Sequence, residues 1–218
     1  EEISERAPGT RARLGAIGYR APSGALRHIA ALTEGVSRRA AIPRQLLPVL
    51  LGWFAEGPDP DGGLLAFRNV SDALGTTHWY LKLLRDSGSA ARNLAAVLSS
   101  SRFAAAALAR SPESVTWLGD AAELAPRTVE RLTAEVDAVL RRQDDAATAA
   151  TLLRALRRRE VARTAVAEVL GSEDVAAASG ALADAADVVL AGALRIAEHE
   201  AAASPEGLVT RTAIIAMG

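Results

Sequence analysis

Alanine and leucine recur at three- and four-residue spacing along almost the whole chain, and short Ser, Gly and Pro clusters cut that pattern into segments. This feature constrains the fold most. Both residues lose little side-chain freedom in a helix. Apolar positions three and four apart fall on one helical face. A sheet needs alternation and β-branched or aromatic side chains, yet only 4% of the residues are aromatic. With half the residues hydrophobic, the chain can bury a core. The expected fold is all-α: an array or bundle of about ten helices with a short extended segment at the C-terminal end.

The breaks set the boundaries. Residues 1–22 read as a short amphipathic piece carrying Leu14, Ile17 and Tyr19. Ser23 is read as the cap of a helix with Leu26, Ile29 and Leu32. Pro43 is placed in the first turn of the next helix, and Pro48 is expected to kink it or delay its start. Residues 56–63 (EGPDPDGG) are dense in Pro and Gly and are read as a loop without regular structure, with a helix following from Leu64. Ser87, Ser101 and Ser111 each stand before another helical stretch. Longer helices follow: Pro126 to Arg142, then about Asp144 to Leu170 with Gly171 as its stop, then Ser172 to about Ala203. Thr212 to Met217 reads as a buried strand without a partner. Three regions result: residues 1–122, a long-helix bundle over 123–207, and the first strand of a truncated domain over 208–218.

Charge and composition narrow the function classes. Twenty-five basic and 26 acidic residues give a net charge of −1, so no basic excess points to nucleic acid or an anionic membrane. The chain has no cysteine, which removes disulfides and thiolate metal sites. No uninterrupted run of about 18 apolar residues occurs, so no membrane span is expected. The acidic start has no signal-peptide pattern and no initiator methionine, so the sequence is read as beginning inside a longer, cytoplasmic protein.

No catalytic constellation stands out. His28, His78 and His199 show no metal-ligand spacing, so no metal site is expected. Asp59 and Asp61 form an acid pair, but the surrounding prolines and glycines favour a solvated turn. No nucleophile elbow or phosphate-binding glycine loop occurs. Trp53-Phe54 and Trp79-Tyr80 read as core anchors.

The candidate site is the arginine-rich stretch from Arg154 to Arg163. Leu152, Leu156, Val166 and Leu170 define one stripe at about 100° per residue. Arg159 and Arg163 fall within it, whereas Arg154 and Arg158 fall outside. A charge in an apolar stripe needs a partner. Glu160 is adjacent but angled away, so an acid on another helix is expected, with Asp184 and Asp187 as first candidates. Arg158, Arg159, Glu160, Arg163, Asp184 and Asp187 are thus either a structural ion-pair set or a contact for a neighbouring domain or anionic ligand.

Several segments together resemble the bacterial glutamine synthetase adenylyltransferase family, two-headed enzymes that add and remove AMP on glutamine synthetase. Asp59-Pro60-Asp61-Gly62-Gly63-Leu64-Leu65 followed by Ser71-Asp72-Ala73-Leu74 is similar to its proline–aspartate turn and leucine-rich helix. Trp79 to Leu84, Ser101 to Pro112 and the Arg-rich Leu153 to Val161 resemble successive helices of that family. Ala213 to Gly218 resembles the first strand of a nucleotidyltransferase head. The resemblance covers the chain after about residue 14 and implies the central region between the two heads. It implies glutamine synthetase and a P-II signalling protein as partners, flanking nucleotidyltransferase domains, and ATP with magnesium in the parent enzyme. The family's glycine-rich turn and Asp-x-Asp pair have no counterpart before Gly218, so no catalytic residue carries over. The alternatives are a free-standing helical interaction module and a DNA-binding helix-turn-helix regulator, and the balanced charge disfavours the second of these.

Overall fold

The computed structural model describes residues 2–33, 38–74, 77–172 and 174–203, with side chains placed from residue 9 to 33 and again from residue 45. The strand read at residues 212–217 lies outside them. Among the described residues the chain is all-α, with eleven α-helices, one 3-10 segment and no strand. Two compact units form, one of Glu1–Ala125 with Ala162–Asp174 and one of Pro126–Val161 with Val175–Gly218.

The first unit holds α1 (Glu2–Ala16), α2 (Pro22–Thr33), α3 (Arg38–Glu56), α4 (Pro60–Leu74), α5 (His78–Asp86), α6 (Gly88–Ser100) and α7 (Arg102–Arg110). A 3-10 segment (Pro112–Gly119) and the single turn α8 (Ala121–Leu124) complete it. Its core is built on fully buried Phe54, Leu64, Phe67, Val70, Tyr80, Leu84, Leu94 and Leu108. Phe54 and Phe67 pack with ring centroids 5.9 Å apart, and the Tyr80 hydroxyl shares a 2.9 Å hydrogen bond with Ser71. Trp53 and Trp79 are half-buried against this core. The aromatic pairs therefore each supply one anchor and one flanking ring.

The 56–63 segment is shorter and more ordered than its composition suggests. Helix α3 runs to Glu56 and α4 already begins at Pro60. Asp59 is the reason. Its carboxylate accepts the Gly62 N–H at 3.0 Å and its carbonyl accepts the Gly63 N–H at 2.9 Å, so Pro60 occupies the first helical position, where no N–H is needed. Asp61 acts at a distance: its carboxylate accepts the backbone N–H of Arg20 at 2.7 Å and of Ala21 at 3.3 Å. The entry to α2 is thus held by Asp61, and Ser23 lies inside the helix rather than before it. Nor does α3 break at its prolines; it continues through Pro43 and Pro48. Pro48 sits on its exposed side, opposite buried Leu47, Leu50 and Phe54.

Gly63 sets how closely α4 and α6 approach. A Cβ there would lie 2.9 Å from the Ser99 Cβ and 3.0 Å from Phe54. Ser99 is itself buried and returns its hydroxyl proton to the Ala95 carbonyl at 2.8 Å.

The second unit contains α9 (Val129–Arg142), the first part of α10 (Ala146–Val169) and α11 (Val175–Ala203). Leu132 and Val136 from α9, Leu153 and Leu156 from α10, and Ala185, Val188 and Val189 from α11 form its core. Gly192 lets α11 come close, because a Cβ would stand 2.7 Å from Val136 and 3.1 Å from Leu153. The last part of α10 gives Ala162, Val166 and Ala167 to the first unit's core. Its end is closed by Gly171 at φ +67°, a left-handed position suited to glycine. The Gly171 and Ser172 N–H groups donate back to the Glu168 and Ala167 carbonyls. Helix α11 is long and apolar enough to cross a membrane by length and composition alone. The helix holds no uninterrupted apolar run of that length; alanine and glycine raise its average around Asp184 and Asp187.

Candidate functional site: an arginine–glutamate network on α9 and α10

The arginine segment forms the middle of α10. Arg154, Arg157 and Arg158 are exposed. Arg159 turns toward α9 and makes a two-pronged contact with Glu135, its Nη1 and Nη2 donating at 2.8 and 2.7 Å to the two carboxylate oxygens. Its Nε donates at 2.8 Å to Glu160. Glu160 is only 6% exposed at its side chain and lies 3.8 Å from the Arg127 Nε. Two guanidiniums and two carboxylates therefore alternate as Arg127, Glu160, Arg159 and Glu135. The fork of donors on arginine suits such planar, two-point recognition.

The acid that pairs with Arg159 is Glu135, not Asp184 or Asp187. Both aspartates are exposed on α11. Glu160, expected to angle away, reaches Arg159 after all, because two long neighbouring side chains can bend toward each other. Residue 135 follows Leu132 by three and borders the apolar stripe of α9. An acid bordering an apolar stripe, facing an arginine in another stripe, is the signal that would have found it. Arg127, just ahead of the Thr128 cap, offers no comparable signal.

Arg163 is 2% exposed and belongs to the first unit. Its guanidinium carbon stands 4.3 Å from the Trp117 ring centroid. A cation over an indole face is attracted by the ring quadrupole, more strongly when dry. Arg159 and Arg163 thus have different surroundings despite their shared stripe.

The electrostatics suit anchoring rather than proton transfer. Hydrogen bonding from Arg159, partly opposed by burial, holds the Glu135 carboxyl below the usual range. The same bond pushes the Arg159 guanidinium up. A carboxylate so stabilised in its charged form is a weak base, and arginine does not release its proton. The network joins α9 to α10.

Elsewhere the described residues form further clefts. One of about 620 Å³ in the first unit has Leu65, Ala66, Leu98 and Ala105 in its wall and Asp59 and Arg102 beside it. One of about 320 Å³ in the second has Leu140, Ile196, Arg195 and His199. His28 Nδ1 lies 3.3 Å from the Arg68 guanidinium. Among the described residues, no three acids or histidines are grouped so as to hold a metal ion.

The family model for glutamate-ammonia ligase adenylyltransferase matches residues 91–218. A bifunctional glutamine synthetase adenylyltransferase/adenylyl-removing enzyme from Leifsonia xyli is 54% identical over 210 residues, covering 95% of this chain and 20% of the relative. Enzymes of the same name from Streptomyces coelicolor and Streptomyces avermitilis are 50% and 45% identical, each covering 100% of this chain and 24% of the relative. The chain therefore spans about a fifth to a quarter of the length of these relatives. With more than half of it matched by the family model and high identity along almost all of it, the chain belongs to the glutamate-ammonia ligase adenylyltransferase family.

Proposed function

We propose that these residues form the helical central region of an enzyme that adenylylates and deadenylylates glutamine synthetase, joining its two catalytic heads. The observation that carries this is 54% identity to a bifunctional enzyme along 95% of the chain, within only 20% of that enzyme's length. The described helices fit a non-catalytic part. Asp59 and Asp61 are engaged at the starts of α4 and α2, and Arg159 is engaged by Glu135 and Glu160. These residues do not fit a magnesium–ATP clamp, so ATP and magnesium belong to the flanking nucleotidyltransferase heads. In this reading the parent is cytoplasmic, transfers AMP to a tyrosine of glutamine synthetase and responds to a P-II signalling protein.

The test is replacement. The aligned region of the Streptomyces coelicolor enzyme is exchanged for this chain, and AMP addition to and removal from glutamine synthetase are both measured. Retention of both activities supports the reading. A folded chimera that binds ATP yet performs neither reaction would overturn it.

A further inference from the structure

Helix α11 has two apolar faces, and only one is buried. Ala178, Ala185, Val188, Val189 and Gly192 turn inward. At 100° per residue, a second strip lies roughly 90–100° further round the helix. Val175, Leu182 and Leu190 are 72%, 39% and 39% exposed along it, the smaller Ser179 and Ala183 are exposed between them, and Ala193 is exposed beyond. From residue 175 to 197 this strip carries no charge over about 33 Å. Asp184, Asp187, Arg195 and Glu198 all fall in a different sector. Bulky side chains seven and eight residues apart, with small ones between, make knobs and hollows at the spacing a second helix can fill.

We propose that this strip is a docking face for an amphipathic helix with aliphatic side chains, contributed by the same enzyme polypeptide outside these 218 residues. Three observations select that occupant. The matched relatives carry about four-fifths of their length beyond the aligned region, so a tethered partner is present at high effective concentration. The absence of charge is the mark of a permanent interface, since transient ones are no more apolar than the general surface. A bilayer is a poor fit: the adjoining face lies in a protein core, and Asp184 and Asp187 sit near mid-helix. The inference rests on family membership and is independent of the activity proposed above.

The chain has no cysteine, so single thiols report cleanly in it, and in the long polypeptide labelling is read at each introduced thiol by peptide mass. Leu182→Cys, Leu190→Cys and, on the charged sector, Asp187→Cys are made both in this chain and in the Leifsonia xyli enzyme carrying this chain in its aligned region. Maleimide labelling is timed in each. In the 218-residue chain all three should react quickly. In the long polypeptide, positions 182 and 190 should slow about tenfold or more, as a face covered nine-tenths of the time would, while 187 stays fast. Hydrogen exchange on the unsubstituted long protein follows α11 without any side-chain change and should show the same added protection. Equal rates at 182 and 187 in the long protein would overturn the proposal. So would protection in the short chain that rises with its concentration alongside a dimer in sedimentation, which would assign the face to a second copy. Protection gained only on adding anionic or neutral lipid vesicles would assign it to a membrane and equally overturn it.

Discussion

Removing the two partners of the α9–α10 network singly should give unequal losses. Arg159 donates to two carboxylates, Glu135 and Glu160, whereas Glu135 receives its side-chain bonds from Arg159. The Arg159 and Glu135 side chains are 32% and 33% exposed. An exposed pair is worth about 0.2–1 kcal/mol, and breaking a buried one from one side costs about 3–5 kcal/mol. At one-third exposure, with two-point geometry, we expect about 1–2 kcal/mol for Glu135→Ala and about 2–3 kcal/mol for Arg159→Ala. The double variant should cost less than the sum, because the second removal finds no partner left to strand. The assay is urea unfolding followed by far-UV circular dichroism, urea being uncharged and so not screening the pair. Acid adds a second readout. Glu135 has a folded-state pKa below its ordinary value of 4.5. Its contribution is therefore complete above that value and is lost as pH falls through the lower, folded one. Glu135→Gln should flatten the acid loss of stability in that window and leave the neutral-to-alkaline limb unchanged in slope. Strict additivity of the two alanine substitutions, or an unchanged acid profile, would refute the network as a structural tie.

Three further outcomes follow from other contacts. Arg163→Ala should lower the melting temperature by several degrees, since it removes a buried cation–π contact worth about 2 kcal/mol along with its packing; exposed Arg158→Ala should melt like the parent. Asp61→Ala should cost about 0.5–2 kcal/mol, because the Arg20 and Ala21 N–H groups lose their acceptor, while Asp72→Ala, on an exposed i,i+4 pair, should cost little in the same melt. Gly63→Ala should destabilise by about 1–3 kcal/mol through the clash with Ser99, and the added change Ser99→Gly should recover part of that loss in urea titrations.

The sequence made some of this legible and hid the rest for identifiable reasons. Local signals were readable because their physics is local. Ser87 and Ser101 do accept N–H bonds at the starts of α6 and α7, and Gly171 does close α10, whereas α9 is capped by Thr128 two residues past the Pro126 start. Ser111 opens a 3-10 segment without a side-chain cap, which the same Ser-Pro-Glu pattern could not distinguish from an α-helix start. The role of Asp61 is not legible locally, because its carboxylate acts across about 40 residues, on the entry to α2. In α3 the prolines were overruled by a packed face of Leu47, Leu50 and Phe54. The burial of Arg163 and the need for a partner at Arg159 followed from helical periodicity. Glu135, Arg127 and Trp117 did not, since which helices meet is decided by the assembled core and not by any one stripe.

In the proposed central-region role AMP transfer lies outside these residues, and the most direct measurement is transfer by the isolated 218-residue chain. It is incubated with labelled ATP, magnesium and glutamine synthetase, and AMP on the synthetase is counted beside a bifunctional relative run in parallel. No incorporation above the blank is expected for the chain, with clear labelling by the relative. Incorporation by the chain alone that scales with its concentration and is lost on its thermal unfolding would contradict it.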